Sequence, residues 1–417
     1  MTIILGAGIS GISAGYHLTQ KGIENIIFEK DDDWGGLCSN FTIDGFRFDK
    51  AIHLSFSENK SVQKIFSDSC TYYIHKPLAY NYYKGAWLKH PAQNNLFPLL
   101  LDEKISIITD FVENKYKNDN ITNYEEWLRY QYGEYFSSNF PIPYTKKYWT
   151  LEASELSTTW VENRMYKPNI SEVLKGAFED TTPNTYYAKE MRYPKKGGYK
   201  SFLRGMYKKC QIELDKDVVK IDIQNKVLYF KDKTLERYDE LISSIPLPEY
   251  MDIIEEMPIK VKEACIKLKY TSIALVSLGF NKMDIPKHLW FYIYDEDIAA
   301  SRCYSPSMKS LDNVPKGCSS LQFEIYFSKD KPLKYIDNYL VEHIIEKSIE
   351  MKLFQREDIV ISNQRILKYG NVIFYKGMEK DRKVVLDYLK SLNIKTIGRF
   401  GRWDYFWSDQ SLLSGVE

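Results

Sequence analysis

Six residues near the start of the chain, Gly6-Ala7-Gly8-Ile9-Ser10-Gly11, have the types and spacing to hold a pyrophosphate through the main chain alone. Gly6 permits a tight turn, Gly8 lets the backbone approach the phosphates, and Gly11 lets the next helix pack against the preceding strand. The first N–H groups of that helix and its positive dipole end then face the anion. Glu29 follows at the distance from which a carboxylate accepts a ribose hydroxyl. Such a glycine pattern carries weight only in the right context. Thr2 to Leu5 predicts a buried strand, a helical pattern continues to about Lys21, and Asn25 to Phe28 predicts a second strand ending at the acid. Strand, glycine turn, helix, strand and acid is the order a dinucleotide site requires.

The elements that must position these residues need a sizeable chain, and 417 residues suffice for two or three domains or one interleaved one. The 57 basic and 56 acidic side chains nearly cancel, so charge gives no reason to expect a nucleic-acid partner. The six cysteines are scattered without a CxxC or Cys/His spacing, so neither a zinc site nor a disulfide framework is expected. That usage fits a reducing cytoplasm. A strand beginning at Thr2 leaves no room for a signal peptide, and the apolar run from Leu96 to Leu101 is too short to span a bilayer. The 33 tyrosines are read mostly as packing residues with hydrogen-bonding tips at domain boundaries.

Further along, residues 58–190 are helix-rich and aromatic, with strands returning at Val218 to Ile223 and Val227 to Phe230. Tyr238 to Pro246 reads as a strand ending at a turn. Apolar runs at Ile273 to Phe280, Leu289 to Tyr294 and Leu321 to Phe327 predict a strand-rich segment, and a helix is predicted from about Leu333 to Met351. After Glu29 and Lys30 comes Trp34-Gly35-Gly36-Leu37-Cys38-Ser39, and then Gly45-Phe46-Arg47-Phe48-Asp49 and His53. This second glycine pair resembles the flavoprotein pattern of the amine oxidase and protoporphyrinogen oxidase superfamily, which implies FAD rather than NAD. The expected fold class is α/β, a Rossmann-like FAD-binding domain of the amine-oxidase type with a helical insertion and an antiparallel-sheet substrate domain. The expected division is a discontinuous FAD domain from 1–58, 190–265 and 358–417, a helix-rich substrate or cap insertion at 59–189, and a sheet-plus-helix substrate domain at 266–357. The chain stops after Glu417, inside what reads as a helix contacting FAD.

Several segments resemble one family within that superfamily, the flavin-dependent UDP-galactopyranose mutases of the eukaryotic-type branch. Pro143-Tyr144 to Trp149, then Leu156, Trp160 and Arg164, is similar to the family's P-Y-x-x-K-x-W…W-x-x-x-R, with the family lysine on Lys147. Trp160 is expected one helical turn before Arg164. Tyr292 and Arg302 match a tyrosine and a second diphosphate arginine ten residues apart. Gln93-Asn94-Asn95 resembles a segment whose glutamine contacts uracil. Arg192-Tyr193-Pro194 with Gly197-Gly198 resembles a segment beside the flavin, and Gly398-Arg399 to Tyr405 resembles the closing signature. The sequence departs from the pattern at Ile52, His90 and Asn371, where the family has glycine, tyrosine and tyrosine.

The resemblance implies that FAD is held by Gly6, Gly8, Ser10, Gly11, Glu29, Lys30, Gly36, Leu37, Val219, Arg399 and Ser411. It implies that a nucleotide sugar meets Gln93, Trp160, Arg164, Tyr292, Arg302 and Tyr405, with His53, Arg164 and Arg302 serving catalysis. The implied activity is a pyranose–furanose mutase of polysaccharide biosynthesis, in which N5 of reduced FAD attacks the anomeric carbon. No metal is implied, and a homo-oligomer is compatible with the family. An FAD oxidase or desaturase of the superfamily is the alternative enzyme, and a non-catalytic flavin-binding scaffold is a third reading. The sugar, the base and the electron donor are not legible.

Overall fold

The computed structural model describes residues 1–116, 121–161, 164–181 and 188–416; Glu417 lies outside them. The first strand, Thr2–Leu5, is buried along its whole length. It pairs in parallel with Asn25–Phe28 on one side and Glu240–Ser243 on the other. Ile394–Thr396 and Ile212–Glu213 extend the sheet at its two edges, giving five strands, all parallel. Strands covered on both faces read as continuous apolar runs, and Ile3-Ile4-Leu5 and Ile26-Ile27-Phe28 are such runs. The helix Ile9–Gln20 connects the first two strands and starts at Gly8. The expected α/β class with a Rossmann-like dinucleotide-binding domain is thus the observed one, and its sheet draws on three distant stretches of the chain.

A second sheet has seven strands, in the order Ile359–Val372, Tyr270–Phe280, Ser319–Phe327, Arg302–Tyr304, Trp290–Ile293, Ala79–Tyr83, Ala86–Lys89. Neighbours are antiparallel except Trp290–Ile293 with Ala79–Tyr83, which run parallel. Leu340, Ile344 and Ile345 from the helix Asn338–Glu350 form one apolar cluster with Val276, Leu278, Phe323 and Ile325 of this sheet. A group of shorter helices, among them Leu101–Val112, Tyr124–Tyr132, Pro141–Tyr148 and Ile170–Phe178, lies between the hairpin and the later strands in sequence.

Three segments depart from the sequence reading. The stretch expected to be helix-rich also supplies a hairpin, Ala79–Tyr83 with Ala86–Lys89, to the second sheet. Its turn is Lys84-Gly85 with φ of 46° and 82°, the pair of left-handed residues that a two-residue hairpin needs. Residues 359–372, expected with the dinucleotide domain, form a long strand along Tyr270–Phe280 instead. An edge strand buries only one face, and Ile359, Ile361 and Leu367 are half-buried while Val360 and Ile366 beside them are exposed. The helix expected from Leu333 begins later, at Asn338, after Asp337 with a positive φ of 49°.

Candidate functional site

The glycine loop closes the C-terminal end of the first strand and opens one end of a cavity of about 1230 Å³. A Cβ on Gly8 would meet no atom within 4 Å, so the space beside this backbone is open for a ligand. A Cβ on Gly11 would instead sit 1.9 Å from the Gly6 carbonyl oxygen, so only glycine lets the helix approach so closely. The helix has no side-chain cap at Gly8, which leaves its first N–H groups for an anion. Glu29 is 8% exposed, and its carboxylate accepts from the Ala7 N–H at 2.7 Å and the Asp31 N–H at 3.1 Å. Burial raises its pKa, and the lone pairs not used by these two bonds can still accept from a ribose. Ser10, Lys30, Gly36, Leu37, Arg399 and Ser411 line the same cavity.

Two expected cofactor residues do not line it. Gly11 lies under the loop, consistent with its packing role. Val219 is 44% exposed and Val218 lines the cavity in its place. The strand Val218–Asp222 carries a register shift between Val218 and Lys220, which leaves Val219 without a partner across the ladder.

Beyond the loop the cavity continues past His53 to the second sheet. His53 Nδ1 donates to the Ala51 carbonyl at 3.1 Å, so Nε2 carries the lone pair. Burial lowers its pKa to about 4, which keeps the ring neutral at neutral pH. The segment before it is fixed from below. Asp49 and Lys309, both fully buried, pair at 2.6 Å, and Asp49 also accepts from the Tyr193 hydroxyl and the Tyr199 N–H. Ala51 holds a left-handed φ of 78°, and the Ile52 N–H donates to Glu324 Oε1 at 2.7 Å.

Glu324 ties this turn to the substrate side. Its other oxygen pairs closely with Arg302 Nε and accepts from the Tyr326 hydroxyl at 2.8 Å, while Arg302 Nη2 donates to the same hydroxyl at 2.9 Å. Arg302 and Glu324 sit directly opposite on adjacent antiparallel strands. The Arg302 guanidinium also stands 5.5 Å from the Tyr148 ring centre. Tyr292 faces Arg302 across the next strand pair and packs on His90 at 5.1 Å. Burial lowers the His90 pKa to about 4. Gln93 Nε2 donates to the Tyr166 carbonyl at 2.7 Å, and Gln93 lines the cavity. Lys147 is buried and gives two 2.8 Å hydrogen bonds to the Ile293 and Asp295 carbonyls, which ties the helix Pro141–Tyr148 to the strand bearing Tyr292. Burial lowers its pKa to about 7.

The other arginines gather at Tyr405. Arg164 Nη2 donates to the Tyr405 carbonyl at 2.8 Å, and its guanidinium lies 4.2 Å from the Tyr405 ring and 4.4 Å from the Trp407 ring. Arg399 lies 5.7 Å from the Tyr405 ring and donates to the Phe406 carbonyl and, at 3.3 Å, to Asn371 Oδ1. Trp160 meets the same ring at 5.9 Å, but from a turn rather than from the expected helix. Ser157, Thr158 and Thr159 precede it, and short hydroxyl side chains compete with helical hydrogen bonds; Ser157 and Thr159 bond each other at 2.9 Å. All six residues expected to meet a nucleotide sugar line the one cavity. Sequence reasoning missed Glu324, Tyr148, Tyr326 and Trp407. Among the described residues no group of three or more His, Cys, Asp or Glu is placed to hold a metal ion, and no helix is long and apolar enough to cross a membrane.

The residues present fit FAD. The open space at Gly8 takes a pyrophosphate, Glu29 a ribose, and the cavity's extension to His53 a ring system on the far side of the phosphates.

Comparison with known proteins points the same way. The family described as NAD(P)-binding Rossmann-like domain matches residues 4–69. A 1-hydroxycarotenoid 3,4-desaturase of Flavobacterium sp. is 30% identical over 122 residues, 27% of this chain and 25% of that protein. A phytoene desaturase of Fusarium fujikuroi is 44% identical over 48 residues, 12% of this chain and 8% of that protein. The matches span a quarter or less of the length of these curated relatives. A putative protoporphyrinogen oxidase from Exiguobacterium sp. superposes over 100% of this chain and 96% of its own, with a TM-score of 0.77 and 14% identity. A reduced UDP-galactopyranose mutase superposes over 100% of this chain and 93% of its own, with a TM-score of 0.93 and 24% identity. The chain therefore has the FAD-binding fold that UDP-galactopyranose mutase has, from its first described residue to its last.

Proposed function

We propose that this protein is an FAD-dependent nucleotide-sugar pyranose–furanose mutase. The observation that carries the proposal is the placement of Arg164 and Arg302 in one cavity with the dinucleotide loop, each set against aromatic rings. Bound and reduced, FAD supplies a nucleophilic nitrogen for displacement at an anomeric carbon. The chain's own residues hold the departing group. Arg164 and Arg302 grip the diphosphate with planar, permanently charged forks. Their charge is in place before the sugar bond breaks, so it stabilises the negative charge that grows on the diphosphate. Tyr292 and Tyr405 complete the clamp, and Gln93 and Trp160 meet the nucleoside. His53, neutral and with Nε2 as an acceptor, sets the proton environment at the reacting end. Glu324 positions Arg302. On this reading the enzyme works in the cytoplasm and supplies furanose donors for polysaccharide assembly.

A second reading, an FAD oxidase or desaturase, is favoured by the names of the curated relatives. Against it stands the cost of lining an apolar substrate's site with two guanidinium groups. The experiment is an anaerobic titration of dithionite-reduced protein with UDP- and dTDP-sugars, followed by chromatography for furanose. Product that forms only with reduced flavin supports the mutase. No binding, with flavin reduced by an amine or ring substrate instead, supports the oxidase.

A further inference from the structure

The cavity wall next to His53 is hydrocarbon. Ile52, Leu54 and Phe56 line the cavity at alternate positions and pack with Met191, Trp290 and Tyr292 as one apolar cluster. Ile52 cannot turn away. Its N–H is held by Glu324, and the residue before it is fixed in a left-handed conformation. The same Glu324 carboxylate pairs with Arg302, so Ile52 stands one side chain away from the proposed diphosphate anchor. In a nucleotide sugar the pyranose is bonded directly to that diphosphate. A sugar reaching from Arg302 toward His53 therefore passes over Ile52. A hydroxymethyl group laid on this wall loses its water without gaining a partner, whereas a methyl group loses nothing and is buried.

We propose that the sugar taken by this site is a 6-deoxyhexose whose C6 methyl rests on the Ile52–Leu54–Phe56 wall; this rests on the nucleotide-sugar reading above. Ile52 is then the residue that sets specificity. An apolar pocket discriminates against an added hydroxyl by up to about 100-fold.

The test uses the FAD-loaded, reduced full chain with five probes: UDP, dTDP, UDP-galactose, UDP-6-deoxygalactose and UDP-N-acetylgalactosamine. Kd is read by competition and kcat/KM by furanose formation. The expected result is a preference for the 6-deoxy sugar over UDP-galactose of about 10- to 100-fold. Ile52→Ala is expected to narrow that ratio to about threefold or less with UDP affinity unchanged, and Ile52→Val, which removes one methyl, to reduce it part of the way. The wild-type ratio decides the matter even where a variant does not fold. Equal use of both sugars, or a preference for the hydroxymethyl or N-acetyl sugar, with UDP bound normally, overturns this inference and leaves the mutase reading standing. Failure to bind UDP and dTDP alike overturns both.

Discussion

Replacing Arg302 by Met separates what this residue does for the fold from what it does for the ligand. Arg302 pairs with Glu324, whose side chain is fully buried, and shares the Tyr326 hydroxyl with it. Removing one member of a buried pair strands the other charge, at a cost of about 3–5 kcal/mol. Removing both and leaving neutral groups of similar volume costs little. Arg302→Met alone is therefore expected to lose about 3–5 kcal/mol, and Arg302→Met with Glu324→Gln to recover most of it. In the double variant the Gln amide oxygen still accepts the Ile52 N–H, and its nitrogen can donate to the Tyr326 hydroxyl. Ligand binding follows a different rule. Both variants lack the guanidinium, so both are expected to lose about 2–4 kcal/mol of UDP affinity, roughly 30- to 1000-fold in Kd. Denaturant unfolding of the FAD-loaded protein reads the first quantity and calorimetric titration with UDP the second. Equal stability of the single and double variants, or parental UDP affinity in either, refutes the reasoning.

Arg164→Ala is expected to weaken UDP binding by roughly 10- to 100-fold, the worth of a charged hydrogen bond, while flavin absorbance per protein stays at the parental level; an unchanged Kd removes Arg164 from the clamp. Gly8→Val directs a branched side chain into the open space beside the loop, and the purified variant is expected to lack flavin; full FAD occupancy would place the pyrophosphate elsewhere. His53 and His90 both have pKa values lowered to about 4 by burial, so between the unfolded value near 6.5 and 4 the unfolded chain binds more protons than the folded one. Stability is thus complete above about pH 6.5 and is lost as pH falls toward 4. A His53→Asn, His90→Asn variant is expected to reduce that slope in denaturant midpoints measured across the window, with His288, also lowered to about 4 by burial, keeping its share, and a slope unaltered by the pair assigns it to other groups.

The dinucleotide loop was legible because its determinants are local: glycines, the strand before them and the acid after them lie within thirty residues. The arginines and tyrosines of the clamp were legible only through likeness to a family, since no periodicity reveals them. Glu324 was invisible for a physical reason. It acts because strand register sets it opposite Arg302, and register between strands is fixed by the assembled sheet. Val219 also came only through that family likeness, which does not resolve which of two adjacent residues faces the cavity; here it is Val218. The hairpin at Ala79–Lys89 had a local signal, Lys84-Gly85 between tyrosine- and tryptophan-bearing strands, and aromatic richness masked it.

The parallel sheet has a consequence in time. Its first two strands and the glycine loop leave the ribosome early, but Glu240–Ser243 and Ile394–Thr396 follow hundreds of residues later, with Arg399 and Ser411 behind them. Until the last of these emerges, the nascent chain carries an unfinished sheet with an open edge and half a cradle. Cofactor capture is therefore a closing event of biosynthesis, and the chain depends until then on whatever shields its exposed strands.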